Sequence, residues 1–444
     1  MPVSPARAAA FDILLRVEQQ DAYASELLHS DRLDKLSVAD RGLTTEIVMG
    51  VLRWRSRVDD AIAAQSSRPL GKLDPQVLTA LRIAAYQLLY LSRVPARAAI
   101  NESVDLVKRA RKVSAAPFAN AVLRKLANAS SGAVTEETSR ATAASLAHEF
   151  AHPAWLVERW VDHLGIDNAE VICRHDQRIP TTSIRLDGAA VEGELQTEGI
   201  ELAPGALLTS ARIVTHGDVT QTRVYREDRV FIQDEASQLV AALVGTGSRL
   251  LDCCAAPGSK TAVIASRNPA SEIIAVELHP HRAELLRRRV RATNVQVITA
   301  DALHLTLLGG FDRVLADVPC SGTGTLARNP EIKWRLKPED LNDLHMKQVA
   351  ILRAALQQLA PGGRAIYSTC SLEPEENQSV VEEVLQADQN VTLLDCRNEL
   401  EQLRAAGELA SNDLDVLLDG NYLRTLPGVH PCDGFFAAIL HRQS

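Results

Sequence analysis

Long uncharged apolar runs, paired cysteines and aromatic side chains are all scarce in this chain of 444 residues. Arg7, Asp12 and Arg16 interrupt the apolar residues at its start, which argues against a signal-peptide core of adequate length. No stretch reaches the ~18 uncharged apolar residues that a membrane span needs, so we expect a cytoplasmic protein without a membrane partner. The aromatic content of 4%, beside abundant Ala and Leu, favours helices.

The seven cysteines are an odd number, and no CxxC pair occurs. A disulfide framework is therefore not expected, and neither is a zinc or other metal site. Cys173, Cys396 and Cys432 fit the ordinary role of cysteine as a small buried apolar side chain. Cys320 and Cys370 do not fit that role, because they lie in turns rich in Gly, Ser and Thr that follow predicted strands.

The formal net charge is -8, but the charge is unevenly distributed along the chain. Residues 1–130 contain 19 Lys and Arg against 13 Asp and Glu, whereas the remaining residues contain 29 against 43. The N-terminal part, with its cluster from Lys108 to Lys112, is therefore the better candidate for contacts with phosphates. A basic face that only keeps a helical domain in solution explains the same balance equally well.

The length of the chain predicts two or three domains. Apolar residues at helical spacing predict an all-α domain over residues 1–130, and small polar residues predict a linker over 131–150. A helix followed by short strand-like runs predicts a small α+β subdomain over 151–234. Strands that alternate with helices then predict a doubly wound, mainly parallel Rossmann-like α/β sheet over 235–444, with ligands at the carboxyl ends of its strands.

The loop after the first of these strands predicts a nucleoside site. Its sequence from Asp252 is DCCAAPGSKT, in which small residues let the backbone approach a ligand at a helix N-terminus. The chain lacks the GxGxxG of dinucleotide sites and the GxxxxGK[ST] of phosphate-binding loops. Asp252, Glu277 and Asp301 close three successive predicted strands, and Glu277 can accept hydrogen bonds from both ribose hydroxyls. Each acid alone is better explained as a helix N-cap, but the three together favour a nucleoside without phosphates.

Two thiols follow the next two predicted strands, in the strings DVPCSGTG and YSTCS, and so reach the same edge of the sheet. One reaction that needs a thiol is transfer of a methyl group from a sulfonium donor to C5 of cytosine. Cytosine C5 is too weak a nucleophile to attack the methyl group directly, whereas addition of a thiolate at C6 makes C5 nucleophilic. A thiolate suits this addition because it is soft and is partly formed near neutral pH. Methylation of an oxygen or an exocyclic amine needs no thiol, so the cysteines favour cytosine-5 methylation. The spacing alone does not rank Cys320 and Cys370.

These strings, with the longer YSTCSLEPEENQSVV, resemble the signature motifs of the Nop/Sun family of RNA cytosine-5 methyltransferases. QDEAS from Gln233, RNPE from Arg328 and LPGVHPCDGFF from Leu426 also match that family, so the resemblance spans residues 150–440. The helical domain ahead of it is similar, through weaker motifs, to the NusB-like RNA-binding module. This combination implies S-adenosylmethionine as cofactor and a cytosine of 16S ribosomal RNA, of the cytosine-967 type, as target.

The resemblance implies roles by position. Cys370 would be the covalent nucleophile, Cys320 would assist release of the product, and Asp317 would lie beside the methyl donor and the target base. Glu277 would hold the ribose and Asp301 the adenine. The other cofactor-binding residues would be Cys254, Ala255, Ala256, Pro257, Gly258, Ser259, Lys260 and Arg282, together with Asp317.

Two departures from the family pattern are present. Ser259 stands where the family more often has glycine, and it would cost about 1 kcal/mol if the backbone there needed a positive φ. Val318 stands where alanine is commoner, which is a small change in volume. The first departure bears on the geometry of the cofactor loop and the second on the packing beside Asp317.

Other functions stay open. A transfer-RNA cytosine-5 methyltransferase shares the catalytic motifs, and only the NusB-like domain favours ribosomal RNA. A DNA enzyme usually takes its nucleophile from the Pro-Cys motif and lacks Thr-Cys-Ser, so Thr369-Cys370-Ser371 argues against DNA. An RNA-binding antitermination module with a degenerate catalytic part is opposed by the intact acids and both cysteines. We expect a monomer whose partner is 16S ribosomal RNA or a small-subunit precursor.

Overall fold

The computed structural model describes residues 3–30, 33, 35–129, 142–188, 190–305, 309–411 and 413–443. Residues 131–141 of the predicted linker lie outside these ranges. The chain forms two compact units, of which the first is Met1–Ile179 with Leu326–Arg335 and the second is Pro180–Thr325 with Leu336–Ser444. These units group residues by their contacts, and the domain boundaries expected from the sequence stay a prediction.

Helices occur in both units. In chain order they are α1 (Pro5–Gln20), α2 (Ala24–Leu28), α3 (Val38–Arg53), α4 (Arg55–Gln65), α5 (Pro75–Tyr90), α6 (Ala96–Arg109), α7 (Ala116–Ala129), α8 (Ala143–Glu149), α9 (Ala154–Leu164), α10 (Ile166–Asp176), α11 (Ala190–Thr197), α12 (Arg223–Arg226), α13 (Glu235–Leu243), α14 (Ser259–Arg267), α15 (Pro280–Arg289), α16 (Ile332–Arg335), α17 (Asp340–Gln357), α18 (Gln378–Ala387) and α19 (Cys396–Ala405). Within the described ranges, none of them combines the length and apolar character that a bilayer crossing demands.

The first unit is helical throughout its described residues and is built around α5. This helix begins where Asp74 caps it, since the Asp74 side chain accepts a hydrogen bond from Gln76 N at 3.0 Å and Pro75 fits the first turn. Leu81 and Ile83 of α5 are fully buried. They belong to one apolar core with residues of α1, α3, α4, α6 and α7, so the helical periodicity of the sequence is realised as a single packed core.

The segment Leu326–Arg335 also packs in the first unit, although its neighbours in sequence belong to the second. Trp334 Nε1 donates a hydrogen bond to the Leu52 carbonyl at 2.6 Å, and Arg335 Nη2 donates to the Val17 carbonyl at 2.6 Å. Both acceptors are backbone carbonyls near helix ends, which lack partners within their own helices. The segment thus supplies hydrogen-bond donors to carbonyls at the C-terminal ends of α1 and α3.

Among the residues that the structure describes, every strand lies in the second unit. They are β1 (Thr182–Leu186), β2 (Glu201–Pro204), β3 (Ala211–His216), β4 (Val230–Ile232), β5 (Arg249–Asp252), β6 (Glu272–Glu277), β7 (Val295–Thr299), β8 (Phe311–Asp317), β9 (Leu359–Thr369), β10 (Val391–Leu394), β11 (Leu418–Asp419), β12 (Tyr422–Thr425) and β13 (Phe435–Arg442). The first four form an antiparallel sheet in the order β2-β3-β1-β4. With α11 and α12 this sheet encloses a small apolar core of its own.

The remaining nine strands form one sheet in the order β11-β12-β13-β9-β8-β5-β6-β7, with β10 paired to β13. Strands β5 to β9 run parallel, whereas the pairs made by β13 are antiparallel. The chain leaves β5 towards β6 and later returns to β8 on the other side of β5. Such a reversal opens a crevice at the carboxyl ends of β5 and β8, where ligands of doubly wound sheets bind. The predicted fold class, a Rossmann-like sheet after a helical domain and a small α+β part, is confirmed.

Candidate active site

The cofactor loop, residues Cys254–Lys260, joins the carboxyl end of β5 to α14. Gly258 precedes α14 with a φ of +108°, and a Cβ atom there would lie 2.8 Å from Leu286 Cδ1. Backbone conformation and packing therefore both require glycine at this position. Ser259 is the first residue of α14 and has no positive φ. A serine in place of glycine therefore causes no backbone strain at this position.

Asp252, at the end of β5, is buried beneath the cofactor loop. Thr261 Oγ1 of α14 donates a hydrogen bond to Asp252 Oδ2 at 2.7 Å. Burial raises the pKa of Asp252 to about 7, and the hydrogen bond from Thr261 opposes part of that rise. The carboxyl therefore fixes α14 against β5, whereas the sequence grouped it with two acids expected to face a nucleoside.

Glu277 and Asp301 lie at the ends of β6 and β7. Glu277 Oε1 accepts a hydrogen bond from His279 N at 2.8 Å, and its Oε2 is 4.0 Å from Arg282 Nη1. Asp301 Oδ1 accepts from Leu303 N at 3.0 Å, while its side chain is 41% exposed. In each acid one carboxylate oxygen caps a turn, and the other carboxylate oxygen takes no part in that cap. Capping and ligand binding, which the sequence presented as alternatives, are compatible in this geometry.

The two cysteines expected to carry the chemistry are in contact. Cys320 follows β8, Cys370 follows β9, and their Sγ atoms are 3.3 Å apart. Both are free thiols and half-buried. The hydrogen bond to Cys370, together with burial, raises the pKa of the Cys320 thiol well above its usual range. Cys320 therefore keeps its proton near neutral pH and can donate it towards the Cys370 sulfur.

A charged pair lies beside these thiols. Lys260 Nζ of the cofactor loop donates a hydrogen bond to Asp317 Oδ2 at 2.8 Å, and Ser368 Oγ donates to Asp317 Oδ1 at 2.7 Å. Burial opposes the charge of Lys260, but Asp317 and the neighbouring Cys370 outweigh burial and raise the pKa of this ammonium. Lys260 and Asp317 therefore form a charged pair close to the Cys370 sulfur.

Sequence reasoning missed a carboxylate buried behind the two cysteines. Glu376 Oε1 accepts hydrogen bonds from Ser321 N at 2.8 Å and Gln348 Nε2 at 2.9 Å, and its Oε2 accepts from the hydroxyls of Ser321 and Ser371. The side chain is completely buried. The sequence did carry a signal, because a serine directly follows each cysteine and the glutamate comes six residues after Cys370.

The other family motifs are divided between the two units. Gly434 N, in the C-terminal motif, donates to the Gly324 carbonyl at 2.8 Å, and Gly324 N donates to the Cys370 carbonyl at 2.9 Å. A Cβ atom on Gly324 would lie 2.2 Å from the Gly434 oxygen, so this close approach needs glycine. The motif from Arg328 to Glu331 lies instead in the first unit.

Comparison with known proteins identifies both parts of the chain. Residues 243–441 match the family 16S rRNA methyltransferase RsmB/F, and residues 4–128 match the NusB family. The probable ribosomal RNA small subunit methyltransferase B of Bacillus subtilis (strain 168) is 32% identical, with 100% of both chains covered. The protein of the same name from Synechocystis is also 32% identical, over 98% of this chain and 99% of its own.

A solved structure shows the same fold along the whole chain. The crystal structure of PH0851 aligns with a TM-score of 0.82 at 24% identity and covers 100% of this chain and 99% of its own. The resemblance expected from the sequence motifs is confirmed by the family matches and by the full-length relatives. This chain therefore belongs to the RsmB/F family of 16S rRNA methyltransferases and is an RNA methyltransferase with a NusB domain at its N-terminal end.

Proposed function

We propose that this enzyme methylates C5 of a cytosine in 16S ribosomal RNA, of the cytosine-967 type, through a covalent bond between Cys370 Sγ and C6. The observation that carries the proposal is the pair of free thiols 3.3 Å apart beside Lys260 and Asp317. Methylation at C5 needs one group to form the adduct and another to help dismantle it. Two neighbouring free thiols meet that need.

The residues at the ends of β5 to β7 fit S-adenosylmethionine. Glu277 has one oxygen engaged by His279 N, and its Oε2 suits the ribose hydroxyls. Asp301 suits the adenine edge, and Arg282 Nη2 donates to the Ala256 carbonyl at 3.2 Å, which supports the cofactor loop. S-adenosylmethionine, when bound, supplies an electrophilic methyl group.

The first chemical task of the protein is to activate C5. With the pair of Lys260 and Asp317 beside it, the Cys370 sulfur uses a lone pair to form a bond to C6 of the cytosine. The π electrons of the C5–C6 bond move into the C4–C5 bond, those of the C4–N3 bond move onto N3, and C5 becomes the nucleophilic carbon of an enamine. Cys320 stays protonated during this step, because its pKa is raised.

The second task is release. Once C5 carries the methyl group, a base removes its proton, and the C–H electron pair restores the C5–C6 double bond as the C6–S bond breaks. The Cys320 thiol, 3.3 Å from Cys370 Sγ, is placed to donate a hydrogen bond to the departing thiolate, which lowers the energy of that leaving group. Cys370 is therefore needed to form the covalent intermediate, whereas Cys320 is needed only for the breakdown of that intermediate.

Separate substitution of the two thiols tests this order of events. Cys370→Ala should abolish methyl transfer and form no covalent adduct with RNA. Cys320→Ala should accumulate a protein–RNA species that survives denaturing electrophoresis when S-adenosylmethionine is present. The matched control is Cys173→Ala, which removes a buried thiol of the first unit and should behave as the parent enzyme. A trapped species with Cys370→Ala instead would reverse the roles, and none with either variant would refute the adduct.

The choice of RNA is tested in cells. Bisulfite mapping of total RNA, with and without the gene, should show the loss of one 5-methylcytosine from 16S ribosomal RNA. A lost position in transfer RNA would instead assign the enzyme to that substrate, and an unchanged map would refute cytosine-5 methylation.

A further inference from the structure

We infer that Glu376 is a positioning residue that holds the loops of Cys320 and Cys370 at the separation needed for release of the methylated base. The inference rests on the proposed function, because it assigns to Glu376 the geometry on which the hydrogen bond between the two thiols depends. The side chain touches neither sulfur directly. It acts through the residue that follows each cysteine, Ser321 and Ser371.

The hydrogen bonds of Glu376 join three parts of the second unit. Its Oε1 accepts from Ser321 N and from Gln348 Nε2 of α17, and the same Gln348 Nε2 lies 2.9 Å from the Pro319 carbonyl. Its Oε2 accepts from Ser321 Oγ and from Ser371 Oγ. One carboxylate therefore links the loop after β8, the loop after β9 and the helix between them. The same two loops are also joined by the contact between Ser321 Oγ and Ser371 Oγ at 3.0 Å and by the hydrogen bond from Gly324 N to the Cys370 carbonyl at 2.9 Å.

All four partners of Glu376 act as donors, so the carboxylate serves only as an acceptor. Hydrogen bonds to an ionised group are about twice as strong as neutral ones, and a buried site leaves no water to replace them. The completely buried side chain is therefore a rigid connection between the loops. Because Cys320 and Ser321 are adjacent, as are Cys370 and Ser371, this connection helps to set the distance of 3.3 Å between the sulfur atoms.

Glu376→Gln weakens this connection with little change of shape. The amide oxygen can still accept from Ser321 N and Gln348, but the amide nitrogen then faces the two serine hydroxyls, which must turn round to accept. The charge-assisted bonds between the loops become neutral ones. We expect the rate of methyl-product release to fall by about 10- to 100-fold, with the KM for RNA within about twofold of the parent.

The measurement is trapping of the covalent adduct, with full-length protein, a 16S ribosomal RNA transcript and S-adenosylmethionine. Glu376→Gln should accumulate the species that survives denaturing electrophoresis, as Cys320→Ala does. Ser321→Ala, which removes one hydroxyl and keeps the Ser321 N bond, should accumulate a smaller amount. A role confined to stability would instead lower the melting temperature and slow every step without trapping RNA.

Two control variants separate positioning from general damage. Tyr367→Phe deletes the 2.6 Å hydrogen bond from Tyr367 Oη to the Glu376 carbonyl and should destabilise the same segment without trapping RNA. Glu382→Gln removes a negative charge from an exposed position on α18 and should behave as the parent.

The outcomes distinguish this inference from the proposed function. If Cys320→Ala traps RNA but Glu376→Gln and Ser321→Ala do not, the inference is overturned and the adduct mechanism stands. If Cys320→Ala itself traps nothing, the proposed function fails. If Glu376→Gln does not fold, as loss of its cooperative thermal transition would show, Ser321→Ala and Ser371→Ala decide the question in the same assay.

Discussion

Asp252 and Glu277 end neighbouring parallel strands, yet they have different environments. Asp252 faces the interior, where Thr261 donates to it and where burial raises its pKa to about 7. Glu277 is also buried, but its Oε2 is directed towards Arg282 at the edge of the sheet. An acid at the end of a strand therefore supports the loop after β5 in one case and faces an arginine at the edge of the sheet in the other.

Glu277→Ala tests the cofactor site. The substitution removes the charged acceptor proposed for the two ribose hydroxyls, and each such bond contributes roughly 1.5–3 kcal/mol. We expect the affinity for S-adenosylmethionine, measured by calorimetry, to fall by about 100-fold or more, because two such bonds are lost. Glu284→Ala, an exposed position on α15, is the matched control and should bind as the parent does. Unchanged affinity in Glu277→Ala would remove this residue from the site.

At the scale of elements, local patterns predicted most of the catalytic sheet. Helical periodicity predicts a helix over Pro338–Leu359, and the structure has Asp340–Gln357. The strands after which the two cysteines lie were also expected, because short apolar runs ending in Gly, Ser and Thr are a local signal. Contacts between distant residues have no such signal. The sequence could therefore place the two thiols at one edge but could not show Glu376 behind them.

The segment Leu326–Arg335 is a second element that local patterns could not place. The sequence assigned its motif to the catalytic domain, whereas its contacts lie in the first unit. Glu331 Oε1 accepts from Ala24 N at 2.7 Å, and Lys333 Nζ donates to the Arg53 carbonyl at 3.1 Å. Only partners about 300 residues away explain why charged side chains of this segment are buried, so no pattern within the segment predicts their position.

Lys333 gives this segment a testable pH dependence. Its side chain is buried, and burial lowers its pKa from 10.5 to about 7, although Asp176 opposes the shift. Between pH 7 and about 10 the folded protein binds fewer protons at this site than the unfolded chain does, so the free energy of unfolding should rise with pH. The gain in the free energy of unfolding is about 5 kcal/mol if the whole shift is realised.

Lys333→Met isolates that contribution. The variant has no ammonium to deprotonate, so its melting temperature should rise less between pH 7 and pH 9 than that of the parent. Lys347→Met replaces an exposed lysine of α17 and should keep the parent's pH dependence. Parallel curves for the parent and Lys333→Met would show that the buried amine does not titrate in this window.

At the scale of the whole molecule, the excess of positive charge lies in residues 1–130, although the chain as a whole is acidic. Part of the predicted basic cluster is neutralised by neighbours, since Lys108 pairs with Asp105 at 2.9 Å and Arg109 with Asp12 at 3.2 Å. Arg124 and Lys125 of α7 are exposed. They are therefore better candidates for phosphate contacts than the first two residues of the cluster.

Reversal of charge on α7 tests whether the NusB domain supplies RNA affinity. Each phosphate contact releases counterions, so the logarithm of the affinity falls linearly with the logarithm of the salt concentration. Arg124→Glu with Lys125→Glu should weaken RNA binding by the full-length protein and reduce that slope by about 1.5–2, because two contacts are lost. Binding of S-adenosylmethionine should not change, since its proposed site lies in the second unit.

The matched control is Arg287→Glu with Arg288→Glu, an adjacent exposed pair on α15 of the second unit. An equal loss of RNA affinity and of salt slope in both double variants would show that RNA binding responds to the total charge of the protein. An unchanged salt slope in the α7 variant would leave the basic face of α7 with only a role in solubility.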